Sequence, residues 1–291
     1  IAFLIGVFWL DDWVGAVSID GTGLASKLGS QTLPGGAVMA GMFVLLAGLA
    51  STEVVSMFNA KGVEPGRPIV TGAVVGICLV VFLSPLPAVE HRALPILATI
   101  FAAALFMSLL RYSVPEKRTQ GAAVTGAATL FALTYVGLLP SFYLLVRHDH
   151  SAWVVAGAIF VIKQCDTGAY FTGRLIGRHK LIPWLSPGKT IEGLAGGLVL
   201  SGVTAVLLAM GANHLNLFVD GAMPLWYAAV TGVVIGGVGH AGDLVASLLK
   251  RDAGVKDSGS LIPGMGGVLD VLDSPLLAAP VVYWMLQGAP I

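Results

Sequence analysis

Long apolar runs separated by short polar segments make up most of this chain. A helix that crosses a membrane needs about 20 mostly apolar residues, and these runs approach or reach that length. They lack the alternation of apolar and polar residues that the strands of a membrane barrel show. The sequence therefore predicts an all-α fold, a polytopic membrane helical bundle with about eight or nine transmembrane helices. The predicted spans are residues 1–10, 34–52, 69–83, 93–110, 121–145, 152–171, 191–212, 224–246 and 274–288.

The composition supports a lipid bilayer as the surrounding solvent. Hydrophobic residues make up 56% of the 291 residues and charged residues 11%, whereas a soluble domain carries about 25% charged residues. The formal net charge is zero, so we expect no binding to nucleic acid. Cys78 and Cys165 both lie in apolar runs, which argues against a disulfide framework or a zinc-ribbon site. Because the chain opens on the apolar Ile1, we expect it to begin inside a first helix and not in a signal peptide.

Lysine and arginine concentrate in alternate loops, as the positive-inside rule requires of cytoplasmic loops. The predicted loops on the opposite side hold only Lys27, Arg92 and Arg147. We therefore predict a multi-pass protein of the cell (inner) membrane whose basic loops face the cytoplasm. The cytoplasmic loops are predicted at residues 53–68, 111–119, 172–190 and 247–273.

Polar residues are distributed unevenly between the two halves of the chain. No internal repeat divides it, so we predict a single membrane domain, residues 1–291. Residues 1–147 form nearly apolar N-terminal spans, and residues 148–291 hold the helices and loops that carry most of the polar candidate residues. Glu53, at the cytoplasmic end of the second span, is the exception in the first half. We interpret it as an interfacial carboxylate in contact with water, with a functional role as the alternative.

Three aspartates lie where two predicted spans meet the cytoplasmic interface. Asp243 ends one span, and Asp270 and Asp273 begin the next, so we expect the three to converge at a similar depth. Asp243, Ser247 and Lys250 have helical spacing and line one face. Clustered carboxylates repel one another unless a cation neutralises them, and all-oxygen ligation suits Mg²⁺. The pattern predicts a Mg²⁺ site, with a second cation left open.

The segment between these aspartates suits phosphate groups. Its backbone at Gly264, Gly266 and Gly267 can approach an anion closely. The positively charged candidates are Lys250, Arg251 and Lys256. The alternative is a hydrated loop in which Asp273 caps the last helix and the basic residues only set the orientation. His240, near the end of its span, either supports the site or packs between helices.

A second polar cluster begins in the sixth predicted span. Asp166, Tyr170 and Arg174 recur every four residues and form one stripe on that helix. An ionisable group inside a span is a candidate functional residue. The alternative is that Asp166 pairs with Lys163 or Arg174 and steadies the helix. The loop that follows adds the candidates Ser186, Lys189 and Thr190.

These motifs, in this order, resemble the signature of the phosphatidate cytidylyltransferases (CDP-diacylglycerol synthases). The matching pieces are Asp166-Thr-Gly-Ala-Tyr170, Ser186-Pro-Gly-Lys-Thr190, Ser247-Leu-Leu-Lys-Arg251, Lys256-Asp257-Ser-Gly259 and Pro263-Gly-Met-Gly-Gly-Val-Leu-Asp-Val-Leu-Asp273. The close resemblance covers roughly residues 160–280, and the earlier spans agree with the family in character alone.

The resemblance implies transfer of a cytidylyl group from CTP to phosphatidic acid, giving CDP-diacylglycerol and pyrophosphate at the inner membrane face. It implies CTP, phosphatidic acid and the bilayer as partners, while a homodimer stays open. The metal ligands it implies are Asp243, Asp270 and Asp273, joined in catalysis by Lys250, Lys256 and Asp257. The substrate-binding residues it implies are Asp166, Tyr170, Arg174, Ser186, Lys189, Thr190, Ser247, Arg251, Gly264, Gly266 and Gly267.

Two positions depart from the family pattern. Met265 stands where the family usually has His, and Val271 stands where it usually has Arg. The departures leave open an inactive or substrate-shifted homologue. A CTP-dependent lipid kinase of related architecture is a separate alternative. A transporter would require polar groups at mid-bilayer in both halves, whereas here they cluster near one face of one half.

Overall fold

Over the residues that the structure describes, the fold consists of apolar helices and one small β-hairpin. The computed structural model describes residues 2–17, 35–87, 89–115, 117, 119–215 and 221–290; Lys27 lies outside them. The helices are α1 (Ala2–Gly15), α2 (Ala37–Ala60), α3 (Arg67–Leu83), α4 (Ala93–Ser113), α5 (Ala122–Asp149), α6 (Ala152–Ile176), α7 (Ile191–His214), α8 (Leu225–Asp252) and α9 (Val268–Gln287). The strands are β1 (Lys180–Ile182) and β2 (Ser186–Thr190). Each predicted span therefore coincides with a helix.

Six of the helices in the described ranges are long and apolar enough to cross a membrane. They are α2, α4 with the turn before it, α5, α7, α8 and α9. Helices α1, α3 and α6 are outside this set. Helices α1 and α3 are short, with 14 and 17 residues. Helix α6 has 25 residues and carries the charged residues Lys163, Asp166 and Arg174. The multi-pass helical architecture is confirmed. The count of eight or nine spans and the side on which the loops lie stay predictions.

The β-hairpin is an exception to the predicted all-α fold. Its strands pair antiparallel, with Lys180 opposite Thr190 and Ile182 opposite Ser186. Strands of three and five residues are too short for a recognisable alternation of apolar and polar positions. The hairpin replaces part of the loop predicted at 172–190, and it fixes the backbone of the Ser186–Thr190 motif.

The chain forms two compact units, the first comprising residues 1–148 and 257–270 and the second residues 149–256 and 271–291. In the first unit, a buried ion pair connects the N-terminal helices. The fully buried Asp11 of α1 pairs with Arg147 of α5, Oδ2 to Nε 2.6 Å, and accepts a hydrogen bond from the Met39 backbone N–H of α2. Breaking such a pair leaves an uncompensated buried charge, so α1, α2 and α5 hold one another in place.

In the second unit, α6, α7 and α8 pack closely through small residues. A Cβ atom at Gly197 of α7 would lie 2.5 Å from the backbone oxygen of Cys165 on α6. A Cβ atom at Gly232 of α8 would lie 2.6 Å from the backbone oxygen of Ser201 on α7. Small residues let membrane helices approach in this way. The close packing brings the polar faces of α6 and α8 to the same cavity.

Candidate functional site

A cavity of about 400 Å³ with several polar side chains in its wall opens in the second unit. Helix α6 contributes Asp166, Tyr170 and Arg174 to its wall, the hairpin contributes Ser186, Lys189 and Thr190, and α8 contributes His240 and Asp243. The six residues of the second predicted cluster therefore lie together, and one of the three predicted metal ligands lies with them. A concave site with a few convergent polar groups is the usual form of a small-molecule site.

Local structure explains how two elements present these side chains. On α6, spacing by four residues brings the Arg174 Nη1 atom within 3.1 Å of the Tyr170 hydroxyl, to which it donates. At the end of β2, the Thr190 hydroxyl accepts a hydrogen bond from the Gly193 backbone N–H, 3.1 Å away, and so caps α7. The cap satisfies an otherwise unpaired helix N–H. Thr190 thus has a structural task in addition to its place in the cavity wall.

Three carboxylates of the second unit, those of Asp166, Asp243 and Asp273, are paired with lysines. The Lys189 Nζ atom lies 2.8 Å from Asp243 Oδ2. Lys163 Nζ lies 3.6 Å from Asp166 Oδ2 and 3.4 Å from Asp273 Oδ1. The pairing of Asp166 with Lys163 considered from the sequence is therefore present, yet Asp166 still lines the cavity. The site combines acidic groups with cations that suit phosphate.

Helices α8 and α9 cross where two of the predicted metal ligands lie. A Cβ atom at Gly242 would lie 2.6 Å from the backbone oxygen of Asp273, so the glycine permits the crossing. Asp243 is the next residue along α8 after this close contact. Ser274 follows on α9, and its hydroxyl donates to Asp166 Oδ2 over 2.9 Å. The carboxylates of α6, α8 and α9 therefore converge in this unit.

The carboxylates of this unit are the candidate ligands of a metal ion. In the described part of the chain, no group of three or more His, Cys, Asp or Glu side chains is arranged to hold one. Mg²⁺, however, is commonly bound through one or two carboxylates, with substrate phosphates and water completing its shell. Asp243, which lines the cavity, is an oxygen donor of this kind, and Asp273 lies on α9 next to the crossing with α8. The donor chemistry fits Mg²⁺ that arrives with a phosphate-bearing substrate, and the ion itself stays a prediction.

Asp270, the third predicted metal ligand, belongs to the first unit, where it organises the glycine-rich loop (residues 257–267). Its Oδ2 atom accepts hydrogen bonds from the backbone N–H groups of Ser258 and Gly267, both at 2.8 Å. Gly266 has a φ of 92°, and a Cβ atom there would lie 2.5 Å from the same carboxylate oxygen. The backbone N–H at Gly267, predicted to meet phosphate, is thus occupied by a carboxylate of the protein.

Glu53 of α2 holds the other side of this loop. Its Oε1 accepts from the Val268 backbone N–H at 2.8 Å, and its Oε2 accepts from the Leu269 N–H at 2.9 Å. The Ser258 hydroxyl lies 2.7 Å from Glu53 Oε2 and 3.0 Å from Asp270 Oδ2. The interpretation of Glu53 as an interfacial carboxylate in water is therefore incomplete, because the side chain accepts hydrogen bonds from the loop and from the first turn of α9.

The remaining predicted residues lie around the end of α8 and in the loop. Ser247 Oγ lies 3.5 Å from Asp243 Oδ1. Lys250 and Arg251 occupy the last turn of α8, where the helix dipole favours positive charge. Three neighbouring side chains are exposed, namely Arg251, Lys256 and Asp257. Their predicted contacts with phosphates and nucleotide stay predictions.

Sequence reasoning gave too little weight to three residues, Glu53, Lys163 and His240. Each carries an ionisable group within an apolar helix, and such groups are functional candidates by default. Applied evenly along the chain, that rule would have selected all three. The pairing of Lys163 with Asp166 follows from helical spacing, whereas its contact with Asp273 and the contacts of Glu53 could not be foreseen, because those partners are distant in sequence.

The fold and the site define a class: a multi-pass helical membrane protein with a charged cavity suited to phosphate-bearing substrates. The chain belongs to the cytidylyltransferase family, whose model matches residues 24–288. It is 33% identical to the phosphatidate cytidylyltransferase of Staphylococcus haemolyticus over 254 residues, 87% of this chain and 92% of that protein. It is 34% identical to the Staphylococcus aureus enzyme of that name over the same shares. Identity to the Bacillus subtilis enzyme is 37% over 180 residues, 61% of this chain and 64% of that protein.

Proposed function

We propose that this protein is a nucleotidyltransferase that transfers a cytidylyl group from CTP to phosphatidic acid. The products are CDP-diacylglycerol and pyrophosphate, so the activity belongs to phospholipid biosynthesis. Membership of the cytidylyltransferase family and relatives named phosphatidate cytidylyltransferase support this reaction. The observation that carries it is the cavity in which lysine, arginine and carboxylate side chains meet within an apolar helical protein.

In the proposed reaction, a phosphate oxygen of the lipid attacks the α-phosphorus of CTP. The new bond joins that oxygen to the α-phosphorus, and the bond between the α-phosphorus and the oxygen bridging to the β-phosphate breaks. Pyrophosphate leaves with the electron pair. A phosphate monoester is largely ionised near neutral pH, so the attacking oxygen needs no strong general base. The enzyme must instead bring two anions together.

Positively charged side chains of the second unit offset the repulsion between the two anionic substrates. Lys189 and Arg174 line the cavity, and Lys250, Arg251 and Lys256 follow at the end of α8 and beyond. Fixed positive groups aimed at developing charge are a large source of catalysis. Asp243 and Asp273 would hold Mg²⁺, which when bound supplies charge neutralisation at the phosphates. Asp270 stays a predicted ligand, and Asp257 a residue that positions Lys256 or the cytosine end.

We also place this chemistry at the cytoplasmic face of the cell membrane. The concentration of basic residues in alternate loops supports that orientation. A two-tailed lipid does not leave the bilayer, whereas CTP is dissolved in the cytoplasm. An enzyme joining them needs its cavity at the interface where both arrive.

Position-specific labelling of CTP tests the reaction. Purified protein is incubated with phosphatidic acid, Mg²⁺ and CTP labelled at either the α- or the γ-phosphate. Label from the α-position in the lipid, with γ-label released as pyrophosphate, is the expected result. Lipid labelled from the γ-position would establish the lipid kinase instead, and an unlabelled lipid would indicate an inactive homologue.

The same assay tests the site. Asp243→Asn and Asp273→Asn should lower turnover by at least about 100-fold, because each removes a charge from the reacting centre. Asp252→Asn, nine residues beyond Asp243 at the exposed end of α8, is the matched control and should retain activity. Full activity in the Asp243 variant would remove that residue from the site.

A further inference from the structure

Glu53 occupies an unusual position for a carboxylate in an apolar span. It lies in α2, a helix long and apolar enough to cross a membrane, and its side chain is half-buried. Ionised groups are costly there unless they are partnered. Glu53 has three partners: the backbone N–H groups of Val268 and Leu269 and the hydroxyl of Ser258.

These contacts place Glu53 at the N-terminus of α9. The first N–H groups of a helix have no partner within the helix, and the helix dipole favours an anion at that end. Both oxygens of Glu53 are used, one by each backbone N–H, at 2.8 and 2.9 Å. The carboxylate therefore fixes the orientation of the first turn of α9 as well as its position.

At two glycines, the backbone of the loop packs closely against the same carboxylate. A Cβ atom at Gly259 would lie 2.8 Å from Glu53 Oε1, and one at Gly267 would collide with both oxygens of Glu53 and with Ser258 Oγ. Since no larger residue fits at either place without a shift, the loop and Glu53 form one closely packed structure. Asp270 closes it from the other side through Ser258 and Gly267.

We propose that Glu53 is a positioning residue for the reaction, which holds the glycine-rich loop and the first turn of α9 in their working geometry. The inference rests on the proposed function, because the loop begins with Asp257, next to Lys256, and is followed by Asp270, and all three are assigned to that reaction. Glu53 touches no reacting atom in this scheme. It acts through the backbone that carries those residues.

One consequence separates positioning from mere stabilisation. If Glu53 supported the fold alone, its loss would reduce the fraction of active protein, so kcat would fall while both KM values stayed unchanged. If it positions the loop, Glu53→Ala should raise the KM for CTP about tenfold or more and also lower kcat. The KM for phosphatidic acid should stay within about twofold. Loss of a charge-assisted hydrogen bond is large enough for an effect of this size.

The experiment combines kinetics with hydrogen exchange of the protein in detergent micelles. Glu53→Ala and Glu53→Gln are compared with the wild type and with Glu64→Gln, a control at an exposed carboxylate of the same unit. Amide exchange in the peptide spanning residues 257–270 should rise about tenfold in Glu53→Ala and less in Glu53→Gln, which keeps an acceptor oxygen. Exchange in α6 and α7 should not change.

Two further results complete the test. Added acetate should restore part of the activity of Glu53→Ala and slow the exchange of the loop. Should Glu53→Ala fail to fold, Glu53→Gln provides the same comparison. Unchanged loop exchange, or a fall in kcat with both KM values unaltered, would overturn the inference. A wild-type protein that transfers no cytidylyl group would refute the proposed function, while the exchange data would still report on the loop.

Discussion

The Lys189 ammonium lies 2.8 Å from the Asp243 carboxylate, and both side chains are largely shielded from solvent. One of the proposed Mg²⁺ ligands is therefore neutralised by a residue that we assign to phosphate binding. A cation at Asp243 would compete with Lys189 for the carboxylate, and a lysine released in this way would be available to a phosphate group.

Removal of this lysine should make Mg²⁺ binding easier and catalysis slower. In Lys189→Met, Asp243 has lost its competing cation, so Mg²⁺ without substrate should raise the thermal unfolding temperature more than it does in the wild type. Turnover should fall, because a phosphate-binding charge is missing. Lys180→Met, at an exposed position of the same hairpin, is the control. Identical Mg²⁺ titrations for wild type and Lys189→Met would count against Asp243 as a ligand.

Lys163 should contribute to stability through two carboxylates. Lys163→Met leaves Asp166 and Asp273 without the ammonium that now lies 3.6 and 3.4 Å from them, and we expect a loss of about 1–3 kcal/mol in the free energy of unfolding. The double variant Lys163→Met/Asp273→Asn should recover part of that loss, because one repelling charge is gone. Denaturant unfolding of the single and double variants measures both effects. Additive losses would contradict the pairing.

Two glycines of the loop allow backbone strain to be separated from a steric clash. Gly264 and Gly266 have φ angles of 78° and 92°, so an alanine at either position costs about 1–2 kcal/mol. Nothing lies within 4 Å of a Cβ atom at Gly264, whereas at Gly266 it would meet Asp270 Oδ2. Gly266→Ala should therefore lower the thermal unfolding temperature more than Gly264→Ala. Equal shifts would show that Asp270 is not fixed against the loop.

His240 should matter for activity and little for stability. The side chain is 4% exposed, its Nδ1 lies 3.9 Å from Asp166 Oδ1, and among the described residues neither ring nitrogen has a hydrogen-bond partner. Unsatisfied buried polar groups are costly, so His240→Leu should unfold at the same temperature or higher. Because His240 lines the cavity, the turnover of the His240→Leu variant should fall. Thr231→Val, which removes another unpartnered polar group of α8, is the control and should leave turnover unchanged. A His240→Leu enzyme with normal kinetics would make His240 a packing residue.

Met265 offers a test of the departure from the family pattern. Its side chain is 62% exposed, so Met265→His should not disturb the fold. If this position contacts nucleotide, the substitution should raise kcat or lower the KM for CTP. Unaltered kinetic constants would leave the methionine unexplained.

The sequence predicts the helices well, because apolar runs of near-spanning length have few other solutions in a bilayer. The sequence also predicts that Asp166, Tyr170 and Arg174 share one face of a helix, because their spacing by four residues is sufficient for that prediction. It does not predict that Glu53 accepts hydrogen bonds from Val268 and Leu269, because nothing local to α2 indicates which loop approaches it. The hairpin was missed for a different reason, namely that its strands are too short to show a period.

The compact units do not follow the order of the chain. Residues 257–270 belong with residues 1–148, and their loop is fastened by a glutamate 216 residues before Leu269. A fragment beginning at residue 149 would retain every motif of the family signature. It would lose Glu53, whose carboxylate holds the glycine-rich loop in place. Attempts to produce a minimal catalytic half by truncation should therefore fail, whereas co-expression of residues 1–148 with the remainder could restore the missing anchor.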